Sequence, residues 1–290
     1  MNISVKNHIR NFLRSQIERF PILAETYRNV RTLLFQNSFA NRAPVLTPFG
    51  FYFIGMPSME NGSYEQQEVR IAQQFIGQTD IFINVGANYG YYCCLALQAG
   101  ARTIAFEPIE INLRLLYKNI IANGWQSKIE IFPLAIGERA SLIEIYGAYT
   151  GASIIKGWAG NTSESLKSYT PISTLDTILG SRVCGQRCFI LVDIEGAEFQ
   201  MLKGAEEILK QKPKPIWMVE ICVTEHQPKG VHINPYLEAT FDMFWSHGYR
   251  SFTATDQRKE IKMSQIEIIC KKGIDTLGTH NFLFLDSSEQ

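Results

Sequence analysis

The stretch Ile81-Phe82-Ile83-Asn84-Val85-Gly86-Ala87-Asn88-Tyr89-Gly90 constrains this chain more than any other, together with the run Phe106-Glu107-Pro108 that follows it. An apolar strand breaks into a glycine-bounded turn, and the next apolar strand delivers a carboxylate. An open α/β sheet holds a nucleoside with these parts. Glycines let the backbone approach the ligand, and the acid accepts hydrogen bonds from a ribose diol.

The shape of the turn selects among nucleosides. A dinucleotide site needs G-x-G-x-x-G, but here Asn88 and Tyr91 stand at the second and third glycine positions. Both carry side chains where a pyrophosphate requires none. The turn reads Gly86-x3-Gly90, a roomier loop that suits S-adenosylmethionine, which has no phosphate. Asn84, Gly86, Ala87, Asn88 and Gly90 are therefore the expected walls for its amino-acid end. Glu107 is the expected ribose ligand, and Pro108 frees it from the strand ladder. Pro133-Leu134-Ala135-Ile136 ends the third strand where an adenine would lie, which adds Ala135 to the cofactor set. The same small apolar residues also suit plain core.

The rest of the chain alternates. Strands are expected at 81–85, 103–107, 129–133, 188–193 and 215–221, and helices at 89–99, 110–123, 198–210 and 235–247. This rhythm gives a mostly parallel sheet covered on both faces. Ser63 and Gln66 fit a capping box for a helix reaching Gly77. Residues 142–146 are a candidate extra strand, 147–170 a long loop over one end of the sheet, and 249–285 two strands around polar turns.

Before residue 44 the chain is basic. Apolar residues recur there at helical spacing, from Ile9 to Leu34, with Pro21 between two short helices. The division expected is 1–60 as an N-terminal helical extension with a hairpin and 61–290 as the cofactor-binding domain. The extension packs on the main domain as a cap or lies weakly on a membrane as a basic amphipathic helix.

Hydrophobic residues make up 46% of the 290, charged residues 19%, and the formal net charge is zero. These values suit a globular core and offer no field for nucleic acid. The six cysteines include no CxxC pair and read as reduced thiols of a cytoplasmic protein. Cys184-x3-Cys188 lacks the second pair that a zinc site needs. No apolar run spans a bilayer, and no apolar segment of a signal peptide follows the early basic residues. Oligomeric state leaves no mark on the sequence.

The motifs together resemble the FkbM family of S-adenosylmethionine-dependent methyltransferases over roughly residues 60–285. The matching pieces are Val85-Gly86-Ala87-Asn88-x-Gly90, Phe106-Glu107-Pro108, Asn119-Ile120, Ala135-Ile136-Gly137, Thr174-Leu175-Asp176, Val192-Asp193-Ile194-Glu195-Gly196-Ala197-Glu198, Leu202-x-Gly204-Ala205, the strand ending in Glu220, and the ending Asn281–Leu285. The resemblance implies a Rossmann-like, seven-stranded, mostly parallel sheet with an antiparallel last strand, the class I methyltransferase fold. It also implies O-methylation of a sugar, glycan or natural-product acceptor. The chain departs from the family pattern twice. Asn84 stands where the family usually has Asp, and Leu191 where Lys is common. These departures keep a second reading open, a non-catalytic adaptor on the same fold. A nicotinamide oxidoreductase is the third and is disfavoured by the missing glycines.

Methyl transfer to a hydroxyl needs alignment and a base within reach of the acceptor oxygen. Asp193 ends the fourth strand at the carboxyl edge of the sheet, where ligands bind. Glu195 lies two residues on and faces the same side if the chain stays extended. Glu198 caps the next helix or joins them, and mutual repulsion of the three acids would raise one of their pKa values. His226 is a further candidate base and His232 its neighbour, while His247 reads as a helix C-cap. Asp193, Glu195 and Glu220 are hard ligands that would suit Mg²⁺, although their spacing does not indicate a metal. Tyr149, Trp158 and Tyr169 in the long loop are candidates to stack on a sugar, or equally to fold back onto the domain.

Overall fold

The computed structural model describes residues 42–147, 151–160 and 167–288. The helices expected before residue 42, their possible membrane contact, and Tyr149 lie outside the described residues. The described chain opens with the hairpin β1 (Val45–Leu46) and β2 (Tyr52–Phe53), then helices α1 (Pro57–Glu60) and α2 (Gln66–Ile76). The expected alternation follows as β3 (Ile81–Val85), α3 (Tyr91–Gln98), β4 (Arg102–Phe106), α4 (Glu110–Ala122) and β5 (Ile129–Phe132). Next come β6 (Ala135–Ile136), β7 (Ser141–Ile145), β8 (Ser168–Ser173) and α5 (Leu175–Leu179). The second half holds β9 (Cys188–Val192), α6 (Glu198–Lys203), α7 (Glu206–Lys210), β10 (Ile216–Glu220) and α8 (Leu237–Ser246). It ends with β11 (Tyr249–Thr253), β12 (Glu260–Ile261), α9 (Met263–Lys272) and β13 (Asn281–Asp286).

The main sheet has the order β12-β11-β13-β10-β9-β3-β4-β5. From β5 to β10 the neighbours run parallel, and β13 lies antiparallel between β10 and β11. This is the expected Rossmann-like sheet of seven strands, with the two-residue β12 added at one edge. The chain leaves β3 toward β4 and β5, then crosses back to β9 on the other side of β3. That reversal opens a crevice beyond the carboxyl ends of β3 and β9, the place where such sheets bind ligands.

Strand period two sorts the core. Ile81, Ile83 and Val85 of β3 face one cluster, shared with α5 to α9. Phe82 faces the other, shared with α2, α3, α4 and the hairpin residues Phe51, Phe53 and Ile54. The hairpin is pinned by amides. Asn119 accepts from Ile54 N at 2.7 Å and donates to the carbonyls of Ile54 and Tyr89. Asn123 likewise bonds both backbone groups of Tyr52.

Four expectations are corrected. The helix expected over 198–210 divides at Gly204, where a side chain would overlap the Gly137 carbonyl. The tail expected as two strands contains α9, whose Ile266 and Ile269 are fully buried. The loop expected to run to 170 ends sooner, because β8 starts at Ser168 and joins β6 and β7 in a separate small sheet. Ser63 does not cap α2: the N-cap is Glu65, and the Ser63 hydroxyl donates to Asn61 instead.

Gly86 has φ +87°, and a Cβ there would overlap the Asp193 carbonyl. Gly124 also has a positive φ, at +70°, but a Cβ there would meet open space. Gly86→Ala is expected to cost at least about 3 kcal/mol, because strain and backbone overlap add. Gly124→Ala is expected to cost about 1–2 kcal/mol from the left-handed backbone alone. Urea denaturation of both variants checks this, and equal losses would show that the Asp193 contact is unimportant.

Candidate functional site

A cleft of about 610 Å³ opens at the crevice between β3, β4 and β9. The turn after β3 forms its floor. Gly86 N and Ala87 N both donate to Phe106 O, at 3.0 and 2.8 Å, so the turn is fastened to the end of β4. Asn88 takes a left-handed conformation, φ 51°, and its side chain accepts from Tyr89 N. Its own N–H donates to Glu107 Oε2 at 2.7 Å.

Glu107 is 3% exposed. Its Oε1 accepts from Ile109 N at 2.8 Å and from Asn112 Nδ2 at 3.3 Å. These donors partly offset burial, which still pushes its pKa up to about 7. Three donors leave acceptor capacity on a carboxylate that can take about four. Apolar walls stand beside it: Ile109 on one side, and Leu134, Ala135 and Ile136 on the other. Ile145, Ala152 and Ile154 close the cleft from the small sheet and the segment that follows it.

Asp193, Ile194, Glu195 and Ala197 complete the lining. The chain does not stay extended after Asp193, because Glu195 is left-handed, φ 55°. Both residues nonetheless line the cleft. Glu195 Oε2 accepts from Trp158 Nε1 at 2.7 Å, and the Glu195 carbonyl accepts from Ser153 Oγ at 2.7 Å. A Cβ on Gly196 would stand 2.5 Å from the Trp158 ring, so glycine is required there. Burial raises the Glu195 pKa, and the Trp158 hydrogen bond opposes that rise. Asp193 is raised too, by burial first and by Glu220 second. Desolvation therefore outweighs the repulsion expected from sequence. Glu198 is buried at the start of α6, accepts from Gly196 N at 2.9 Å, and is pushed up to about 8 by burial.

Of the residues singled out from sequence, Gly86, Asn88, Glu107, Pro108, Ala135, Asp193 and Glu195 line the cleft. Asn84, Ala87 and Gly90 lie outside the lining. Asn84 points to the opposite face of β3 from Val85, with Cys93 Sγ 3.5 Å from its Oδ1 and its Nδ2 buried without a partner. Ala87 packs in the core cluster under α3. Gly90 is the N-cap of α3, where a Cβ would overlap Leu116. His226 also lies outside, but its Nδ1 is 3.8 Å from Glu195 Oε2, and its ring meets the Trp158 edge. His232 is exposed, and His247 bonds Met243 O at the end of α8. Tyr169 lies on β8, 64% exposed and outside the lining. Trp158 is buried and holds Glu195, so it does not offer a stacking face. Asp193, Glu195 and Glu220 form no ligand set. Among the described residues no three His, Cys, Asp or Glu side chains gather as a metal-binding group. All six cysteines are free. Among the described residues no helix is long and apolar enough to cross a membrane.

Sequence reasoning missed Asn112, Ile154 and the bond from Trp158 to Glu195. Asn112 had a signal, a polar residue in the first turn of the helix that follows Glu107. The other two depend on how the segment 151–160 folds over the cleft, which local pattern does not encode.

Residues 84–251 match the model of the methyltransferase FkbM domain. Comparison with curated proteins gives no significant match. Among solved structures the chain is similar to a methyltransferase FkbM from Methylobacillus flagellatus KT, at 16% identity and a TM-score of 0.41. That alignment covers 71% of this chain and 44% of the other, so this chain spans less than half of that protein. It is similar to an O-methyltransferase from Bacillus cereus in complex with SAH at 10% identity and TM-score 0.43, covering 77% of this chain and 80% of the other. It is also similar to a precorrin-6y C5,15-methyltransferase from Geobacter metallireducens GS-15 at 11% identity and TM-score 0.39, covering 80% and 90%.

The buried acids make stability fall as pH rises. Glu107 and Glu198 have folded pKa values near 7 and near 8, and Asp193 and Glu220 are raised as well. Each binds its proton more tightly folded than unfolded, so its contribution is complete below the ordinary carboxylate range and lost through the folded value. Asp80, Glu144 and Glu260 are lowered to about 2 and titrate below this window. The melting temperature is expected to drop between pH 5.5 and 8.5, and Glu198→Gln is expected to flatten the drop. A rise over that range would contradict the burial of these acids.

Proposed function

From the premise that the chain belongs to the FkbM methyltransferase family, we propose that it transfers a methyl group from S-adenosylmethionine to a hydroxyl oxygen. The acceptor is a sugar, glycan or other small natural product. One observation carries this reading: the buried Glu107, Gly86 and Asn88 of the turn, and Asp193 line one cleft.

The residues present fit the cofactor. Glu107 keeps acceptor capacity for a ribose diol, and the wall of Ile109, Leu134, Ala135 and Ile136 suits a flat adenine ring. Gly86 and Asn88 shape the end for the amino acid, with Pro108 turning the chain away beside Glu107. Asp193 and Glu195 complete the lining. When bound, S-adenosylmethionine supplies a methyl already activated by its sulfonium. Asp193 then serves as the base that takes the acceptor hydroxyl proton as the new C–O bond forms. Glu195 is held by Trp158, and His226 beside it completes the polar side of the acceptor space. Residues 61–290 carry this chemistry. The hairpin β1–β2 before them packs on α3 and α4 through Phe51, Phe53 and the amides of Asn119 and Asn123. The free thiols support a cytoplasmic setting for the enzyme.

Asn84 favours a second reading, an adaptor that keeps the fold without the chemistry. Its buried Nδ2 has no partner, where an acid would have brought charge.

Calorimetric titration separates the two. Micromolar binding of S-adenosylmethionine, none of NAD⁺, and at least tenfold weaker binding by Glu107→Ala are expected. Absence of S-adenosylmethionine binding would favour the adaptor. The diol donates more strongly to the Glu107 carboxylate than to its protonated form, in which one oxygen becomes a donor. S-adenosylhomocysteine, which has no sulfonium, is therefore expected to bind about tenfold more weakly at pH 6 than at pH 8. Glu107→Gln is expected to remove most of that dependence, and an unchanged pH profile would exclude Glu107 from the ribose.

A further inference from the structure

β9 and β10 run parallel with Val192 opposite Val219, so the next residues, Asp193 and Glu220, leave adjacent strand ends side by side. Their carboxyl groups are hydrogen-bonded to each other. An ionised carboxylate only accepts, so a bond between two carboxyls requires one proton held between them. Asp193 lines the cleft, whereas Glu220 stands behind it, outside the lining and partly buried.

We propose that Glu220 is a positioning residue of the transfer site: it holds one proton in common with Asp193, and a cation placed at the transfer point displaces that proton. The inference rests on reading the cleft as a site for S-adenosylmethionine.

The surroundings support it. The groups that face the pair are Glu195 from the loop after β9, Glu198 at the start of α6, Glu65 at the N-cap of α2, and Tyr64 beside it. Cys222 lies past the end of β10, its Sγ 3.8 Å from Glu220 Oε1. His280, just before β13, places Nε2 3.9 Å from the same oxygen and is half exposed. Of these groups only His280 becomes positive on protonation. Two carboxylates side by side in such acidic company do not both ionise, so the pair keeps at least one proton. A positive charge brought against Asp193 reverses that balance. The proton leaves by way of His280 toward water, and Asp193 becomes a full carboxylate when a base is needed. The acceptor proton then goes to Asp193 as the C–O bond forms and the C–S bond breaks, sulfur keeping the electron pair. No base is exposed while the cleft lacks a cation.

The test needs no acceptor. Sinefungin carries an aminated carbon where the sulfonium carries its methyl, and it presents an ammonium at the transfer point. S-adenosylhomocysteine presents no charge there. Calorimetry of each ligand in two buffers of different ionisation enthalpy counts the protons released. In the wild type, sinefungin is expected to release up to about one proton more than S-adenosylhomocysteine, and its relative affinity to rise about tenfold per pH unit while the shared proton is being displaced. In Glu220→Gln both differences are expected to vanish while both ligands still bind. A merely structural Glu220 would instead weaken both ligands together and leave the proton difference in place, which would overturn the proposal. Asp193→Asn removes the same shared proton from the other side and is expected to lose the difference as well, so it serves if Glu220→Gln does not fold. Binding of both ligands to the wild type with equal proton counts would overturn this inference alone. Binding of neither would overturn the cofactor reading and this inference with it.

Discussion

The contact between Gly86 and the Asp193 carbonyl is the constraint on which the rest of the site depends. It sets how closely the turn after β3 approaches the end of β9. The ladder bond from Asp193 N to Val85 O reinforces it at 3.0 Å. From that junction the turn reaches sideways to Phe106 O with two N–H groups and to Glu107 with a third. One glycine without a side chain therefore fixes the distance between the Glu107 end and the Asp193 end of the cleft. Glycine is needed at Gly86 for packing as much as for ligand approach, and the same holds at Gly90 against Leu116.

Around this junction the protein has gathered acids and withdrawn water. Glu107, Glu198, Asp193 and Glu220 are each raised by burial before any neighbour acts. The cost falls on the folded state at neutral pH, and neighbouring N–H groups only partly offset it. Buried acids with raised pKa values gathered along one cleft mark it as the candidate functional site.

Much of this was legible in the sequence, residue by residue. The alternation of apolar runs with helical periods placed the strands of the parallel sheet within a residue or two, because buried strands and amphipathic helices differ in period. Glu107 and Asp193 were legible because each follows a five-residue apolar strand at the edge where ligands bind. Asn84 was misplaced, although the signal was there. Strand period two puts it on the face opposite Val85, away from the cleft. α9 was missed although Met263, Ile266, Ile269 and Cys270 recur at helical spacing, because Ile266, Ile268 and Cys270 in the same stretch also alternate as a strand would. Of the two readings open for Trp158, stacking on a sugar or folding back onto the domain, the structure has the second, with the ring buried against Gly196. That contact joins segments far apart in sequence, and no local pattern records it.

The small sheet of β6, β7 and β8 has its own hydrogen-bond ladder, apart from the eight-stranded one. It nonetheless contributes Ala135, Ile136 and Ile145 to the cleft, and the segment after β7 adds Ala152 and Ile154. The roof of the cleft therefore hangs on its own ladder and is tied to the floor by side chains, Ser153 and Trp158 on Glu195. A fold divided in this way is evolvable: exchanges at Ile145, Ala152 or Ile154 reshape the chamber while the parallel ladder below is inherited unchanged.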